Sequence, residues 1–279
     1  MKKLFYIFAL VAFALTSCNK NEVSESKQTS SIEQIKAKSI KLSQAHDSLV
    51  SLMLAVEKNK VIQKAKSTNN SNATLDVNEM LDVINEVTGV KPIILTGNKL
   101  PASLQKVKQN SDSIPTVDLS SEQVTLASYA NSKISEKYLN LIDEVLQNDS
   151  LIISEKTKRI NDIQNQLTSD TNATLSDIEE VLSGAEVLKG SMILWNGEFN
   201  QSSHVAILGK YNASGPVTWN FWKKLAFVSG ADAVGAVLGF FAGGIITVGT
   251  VPVYVPPGPG GVAASAAAIS YIAAKMCGW

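Results

Sequence analysis

Residues 225–274 read LAFVSGADAVGAVLGFFAGGIITVGTVPVYVPPGPGGVAASAAAISYIAA, and their composition decides the fold. Gly, Ala, Val and Ile dominate, and Asp232 is the single charge. Ala231, Gly235, Gly239 and Gly243 recur at every fourth position, the small-xxx-small spacing that lets two helix backbones approach closely. The cluster Pro256-Pro257-Gly258-Pro259-Gly260-Gly261 cannot continue a helix, and a second small-residue run follows from Val262. The expectation is an apolar helical hairpin over 225–277, packed through those four small residues.

The same stretch suggests a register. On a helix Asp232 lies about 20° from Gly239 and from Gly243, so it should face the partner helix rather than lipid or apolar core. Thr247 to Val255 is rich in β-branched residues and contains Pro252, which places the end of the first helix near Ile246. Fourteen residues separate Asp232 from that end, and thirteen separate Val262 from Lys275. In an antiparallel hairpin the two charges then stand level, and Asp232 is expected to form a buried ion pair with Lys275.

Outward from the hairpin the composition changes abruptly near residue 190. Residues 18–190 hold 42 charges but only the aromatics Tyr129 and Tyr138, whereas 191–279 hold six charges and all four tryptophans. Such segregation predicts a polar amphipathic helical region, 31–190, followed by an apolar aromatic and glycine-rich region, 191–279. In the first, Ile32, Ile35, Leu42, Ala45, Leu49, Leu52 and Val56 follow three- and four-residue spacings, a coiled-coil-like seam. A shorter helix is expected from Val77 to Val87, ended by Gly89. Others are expected from the capping-box pair Ser120 and Gln123 to Gln147, from Ser150 through Leu167, and from about Thr174. Residues 89–118 carry three prolines and read mainly as loop, although Ile93-Ile94-Leu95 has strand character. Met192-Ile193-Leu194-Trp195 before Asn196-Gly197 reads as a strand entering a tight turn. The fold class is therefore mainly α: a helical bundle or coiled-coil-like region, then a helical hairpin, with minor β.

The chain's first residues speak to location. Lys2 and Lys3 precede the apolar run Leu4 to Leu15, which is too short for a membrane span. Leu15-Thr16-Ser17-Cys18 resembles the lipobox of bacterial lipoproteins, in which the cysteine is acylated and becomes the mature N-terminus. That resemblance implies a signal peptide at 1–17, lipidation at Cys18 and a membrane held through lipid. Asn19 lacks the aspartate associated with inner-membrane retention, which points to the outer membrane. Residues 18–30, polar and without periodicity, are expected to form a flexible tether.

Chemistry is sparse. Without Lys2 and Lys3 the chain has 23 basic against 25 acidic residues, so no field exists to attract nucleic acid. With Cys18 lipidated, Cys277 is the lone thiol, and neither a disulfide nor a cysteine metal cluster can form within the chain. His46 sits beside Asp47, but helix neighbours one apart do not share a face, so no dyad is expected. His204 beside Ser202 and Ser203 lacks any Gly-x-Ser-x-Gly context. Neither zinc spacing nor a phosphate loop occurs, so no cofactor and no enzyme activity are expected. Asp112-Ser113-Ile114 resembles the Asp-Ser/Thr-aliphatic O-glycan acceptor of exported Bacteroidota proteins, which marks Ser113.

Three functions compete on these grounds, the least defined being a binding module for an apolar ligand in the aromatic, glycine-rich C-terminal region. One is a lipid-anchored envelope protein with a structural or protein-interaction role, its helices meeting a partner or a second copy. Another is a membrane-active toxin, because helices that shelter an Ala/Gly-rich hairpin resemble pore-forming colicin domains. For the lipid-anchored protein the hairpin is either a buried core or a second membrane contact. Trp219, Phe221 and Trp222 followed by Lys223 and Lys224 suit either a membrane boundary or the core of the C-terminal region.

Overall fold

The computed structural model describes residues 19–95, 116–118, 124–200, 221–238, 244–248, 251–256 and 261–278. Helix α1 runs over Asn19–Thr68 and α2 over Val77–Thr88, followed by the short strands β1 (Ile93–Ile94) and β2 (Thr116–Asp118). A 3-10 turn at Leu126–Tyr129 leads into α3 (Lys133–Gln147), α4 (Ile153–Ser169) and α5 (Leu175–Asn200). The apolar end comprises α6 (Phe221–Leu238), β3 (Gly244–Val248), β4 (Val251–Val255) and α7 (Gly261–Met276). The protein is mainly α with minor β, as the periodicities predict.

Local chemistry sets the helix ends. Asp76 caps α2 by accepting from the Glu79 backbone N–H at 3.0 Å, and Glu79 returns the bond to the Asp76 N–H at 2.7 Å. Gly89 stops that helix in the left-handed conformation, at φ 68°. The single helix expected from Ser120 to Gln147 is instead broken. Ser132 caps α3 through the Ser135 N–H, while the Asn131 N–H and side-chain amide both donate to Glu180 of α5.

Four helices close a ring: α1 packs on α5, α5 on α6, α6 on α7, and α7 on α1. Helices α3 and α4 lie against the outside of α5, and α2 against α1. Every residue from Leu225 to Leu238 and from Ala263 to Met276 is buried. The hairpin helices are thus half of a four-helix bundle whose other half comes from the polar region. The expected boundary near residue 190 falls inside α5, and one hydrophobic cluster draws on both sides of it, from Val50 and Leu139 to Phe227 and Tyr271. Helices α1 and α5, drawn mostly from the polar stretch, thus share one core with the apolar hairpin.

A small sheet in the order β1-β4-β3-β2 includes the link between the hairpin helices. Strands β3 and β4 are antiparallel, β1 joins β4 antiparallel with Ile93 opposite Tyr254, and β2 joins β3 parallel with Thr116 opposite Ile245. The β-branched run therefore begins as strand at Gly244, before the Ile246 expected as the helix end; Ile93-Ile94 realises the strand character read there, and Thr116–Asp118 is a strand where loop was expected.

Three further expectations are corrected. Met192-Ile193-Leu194-Trp195 lies within α5, where Met192 and Trp195, three apart, both face the core. The expected tether at 18–30 is helical from Asn19 onward, since 19–30 contain no Gly or Pro to interrupt α1. The expected seam of α1 is only partly kept: Ile32, Ile35, Leu42, Leu49 and Val56 pack half-buried on the core, while the fully buried line runs one residue further on. Ala45 and Leu52 are exposed, and Ser43, His46, Val50, Met53, Glu57 and Val61 face inward.

Gly235 marks the closest approach of α6 and α7. A Cβ there would stand 2.6 Å from the Ala266 Cα, a backbone atom that cannot swing aside. We expect Gly235→Val to force the helices apart and cost about 1–3 kcal/mol, read as a lower midpoint of thermal unfolding. Gly197→Ala, where an added methyl meets nothing within 4 Å, should leave that midpoint unchanged or raise it. Equal losses at the two sites would contradict this packing.

Candidate functional site

One buried polar layer of the bundle draws on each of its four helices. His46 comes from α1, Ser191 and Trp195 from α5, Asp232 from α6 and Ser270 from α7, and all are at most 1% exposed. Trp195 Nε1 donates to Ser270 Oγ at 3.0 Å and reaches Asp232 Oδ2 at 3.3 Å. The Ser191 hydroxyl donates to the same carboxylate oxygen. His46 Nε2 stands 3.5 Å from Oδ2, within ion-pair distance but without hydrogen-bond alignment. On the other edge of the ring, His46 Nδ1 lies 2.9 Å from Asp47 Oδ1. The dyad that residue spacing argued against therefore exists, because the partly exposed Asp47 side chain reaches back along the helix surface to its neighbour.

Burial drives the Asp232 carboxyl up to about 6, against the pull of His46 and of the Ser191, Ser270 and Trp195 donors. Close approach of α1 and α5 makes this layer possible. A Cβ on Gly190 would lie 2.3 Å from Ser43 Oγ and 2.7 Å from Asp47 Oδ2.

A second buried pair ties α1 to α7. Lys275 Nζ is 2.7 Å from Glu57 Oε2, with both side chains about 95% buried. The contact is close in distance but not aligned as a hydrogen bond. Burial lowers the Lys275 pKa, and Glu57 opposes that shift. Tyr271 packs beside them, with Lys275 Nζ 5.3 Å from its ring centre. Burial, reinforced by the Glu57 charge, holds its hydroxyl well above the usual tyrosine range.

The expected Asp232–Lys275 pair is therefore replaced by two pairs to α1. Asp232 stands level with Ser270, five residues short of Lys275 on α7. The register differs because α6 gives way to the β3–β4 hairpin earlier than the sequence suggested. Of the expected packing residues, Ala231 and Gly235 are buried between helices. Gly239, Gly243, Cys18 and Ser113 lie outside the described residues, as do His204 and Trp219. Cys277 is buried, which pushes its thiol up to about 12. Phe221 and Trp222 meet edge to face at 5.2 Å and pack on the core.

Two more buried charges serve helix ends. Asp143 of α3 accepts the Leu126 and Ala127 N–H groups, each at 3.0 Å, and so caps the 3-10 turn. Lys156 of α4 donates to the Val145 and Leu146 carbonyls at the C-terminus of α3, and burial lowers it to about 8.

Ser191, His46 and Asp232 meet without forming a nucleophile. The hydroxyl donates to the carboxylate rather than to the imidazole that would have to deprotonate it. Among the described residues no group of three or more His, Cys, Asp or Glu side chains converges as a metal site. The arrangement can hold protons and charge inside the bundle. Comparison with protein-family models, with curated proteins and with solved structures found no match for this chain.

Asp143 makes a pH prediction. Burial raises it to about 6, outweighing the two backbone N–H bonds that favour its ionised form. The folded protein then keeps a proton that the unfolded chain has already lost. Its contribution is complete below about pH 4 and disappears as pH rises through about 6, by up to about 3 kcal/mol. Urea titrations of Asp143→Asn should show lower stability overall and a shallower decline between about pH 4 and 6. A decline as steep as that of the parent protein would remove Asp143 as its source.

Proposed function

We propose that this chain is a lipid-anchored protein of the bacterial envelope, on the outer membrane, with a structural or protein-interaction role. One observation carries the reading: the lipobox cysteine, Cys18, directly precedes α1, which begins at Asn19 and runs into the bundle. At 50 residues α1 is about 75 Å long, and Ile32, fourteen residues or about 21 Å of helix after Cys18, packs on the core. Lipid at Cys18 would hold the bundle off the membrane on a helical stalk, leaving its outer helices for a partner or a second copy. Several acyl chains would make the attachment firm, where one would be marginal.

Cys18→Ala should abolish labelling by a fatty-acid probe and move the protein out of the membrane fraction or leave it unprocessed. Persistent labelling would refute the anchor.

A second reading, a membrane-active protein, draws on the sheathing of α6 and α7 by more polar helices. Against it, no described helix is long and apolar enough to cross a membrane. Dye release from liposomes by residues 19–279 would favour that reading, and the absence of leakage across pH and lipid charge would count against it.

A further inference from the structure

The central polar layer contains two gaps that each need a proton. One lies between Asp47 Oδ1 and His46 Nδ1, at 2.9 Å, and the other between His46 Nε2 and Asp232 Oδ2, at 3.5 Å. Each gap is flanked by a ring nitrogen and a carboxylate oxygen. With one proton per gap both contacts attract. A neutral imidazole between two carboxylates carries a single N–H, so one gap would then set a lone pair against an anion.

We propose that Asp47, His46 and Asp232 form a proton-retaining latch that fastens α1 over the apolar hairpin and loosens when its second proton is lost at higher pH.

The surroundings show why this proton matters. From α5 the trio faces Ser191 and Trp195, and from α7 Ser270, all polar but uncharged at ordinary pH. The nearby cations are engaged elsewhere: Lys275 pairs with Glu57, and Lys189 with Glu186 and Gln164. No other cation among the described residues is placed to neutralise Asp232, whose Oδ1 makes no hydrogen bond. Solvent reaches the trio at one end only. Asp47 is 30% exposed while His46 and Asp232 are fully buried, so protons enter and leave through Asp47 and the imidazole. Burial also raises the Asp232 carboxyl, which favours keeping the proton in the folded state.

On losing the proton to solvent, the bundle keeps its apolar packing but acquires a repulsive contact between α1 and α6. The local opening that results bares the face of α6 beneath His46. The latch is thus closed in acid and weaker in alkali.

Hydrogen exchange of the full chain, corrected for the intrinsic pH dependence of amide exchange, tests this directly. Between pH 5.5 and 8.5, protection over 39–61 and 225–238 should fall at least tenfold, with α4 changing less. Asp232→Asn should abolish the difference, because an amide donates to a neutral imidazole without an extra proton. Constant protection in the parent protein, or an undiminished pH effect in Asp232→Asn, would overturn the latch. Should that variant fail to fold, imidazole nitrogen NMR together with carboxyl carbon NMR of Asp232 on His204→Gln, which leaves His46 as the sole histidine, decides the matter. Two N–H groups at His46, or one N–H and a proton on Asp232, are expected at pH 5.5; a singly protonated ring facing an ionised Asp232 at that pH would contradict the proposal.

Discussion

Two charges carried by the apolar hairpin, Asp232 and Lys275, must be met inside the protein, and a single helix meets both. A charge taken out of water without a counter-charge costs several kcal/mol even after relaxation. Helix α1 supplies His46 to one and Glu57 to the other. These residues are eleven apart, three helical turns, so they stand on the same face. That face must turn inward, even though doing so leaves Leu52 half exposed. Charge compensation thus outranks burial of a leucine in setting how α1 sits.

The remaining architecture follows from that choice. Once α1 lies on α7 and α5, the ring of four helices closes, and Trp195, Ser191 and Ser270 complete a polar layer between apolar ones. Such layers are poor sources of net stability but penalise every register that separates their members. Small residues do the complementary work: Gly235 lets α7 approach α6, and Gly190 admits the Asp47 carboxylate between α1 and α5. Substituting Gly235 tests the first contact without touching a charge.

Much of the helix content was legible because amphipathic periods of 3.6 residues and caps such as Asp76 are local signals. The apolar hairpin and the closeness of its helices at Gly235 were legible too, from composition and spacing. The counter-charges were not. On α1 the apolar residues Ala45, Leu49, Leu52 and Val56 form one stripe, and Val50, Met53 and Val61 form another beside it. Periodicity alone cannot choose between them. The choice depends on Asp232 and Lys275, some 180 to 220 residues further along the chain. Asp143 and Lys156 were hidden for another reason: their backbone partners are only 10 to 17 residues away but lie on neighbouring elements, beyond the reach of helical periodicity. Met192 to Trp195 misled because a short apolar run fits strand and buried helix equally.

The most direct measurement is a pair of double-mutant cycles read by urea unfolding. Lys275→Met alone should cost about 3–5 kcal/mol, because Glu57 is left charged and buried. Adding Glu57→Gln should recover a large share of that loss. The cycle of Lys275→Met with Asp232→Asn should instead be additive to within about 0.5 kcal/mol. Additivity in the first cycle together with strong coupling in the second would mean that the hairpin pairs its own charges, and that α1 does not hold them.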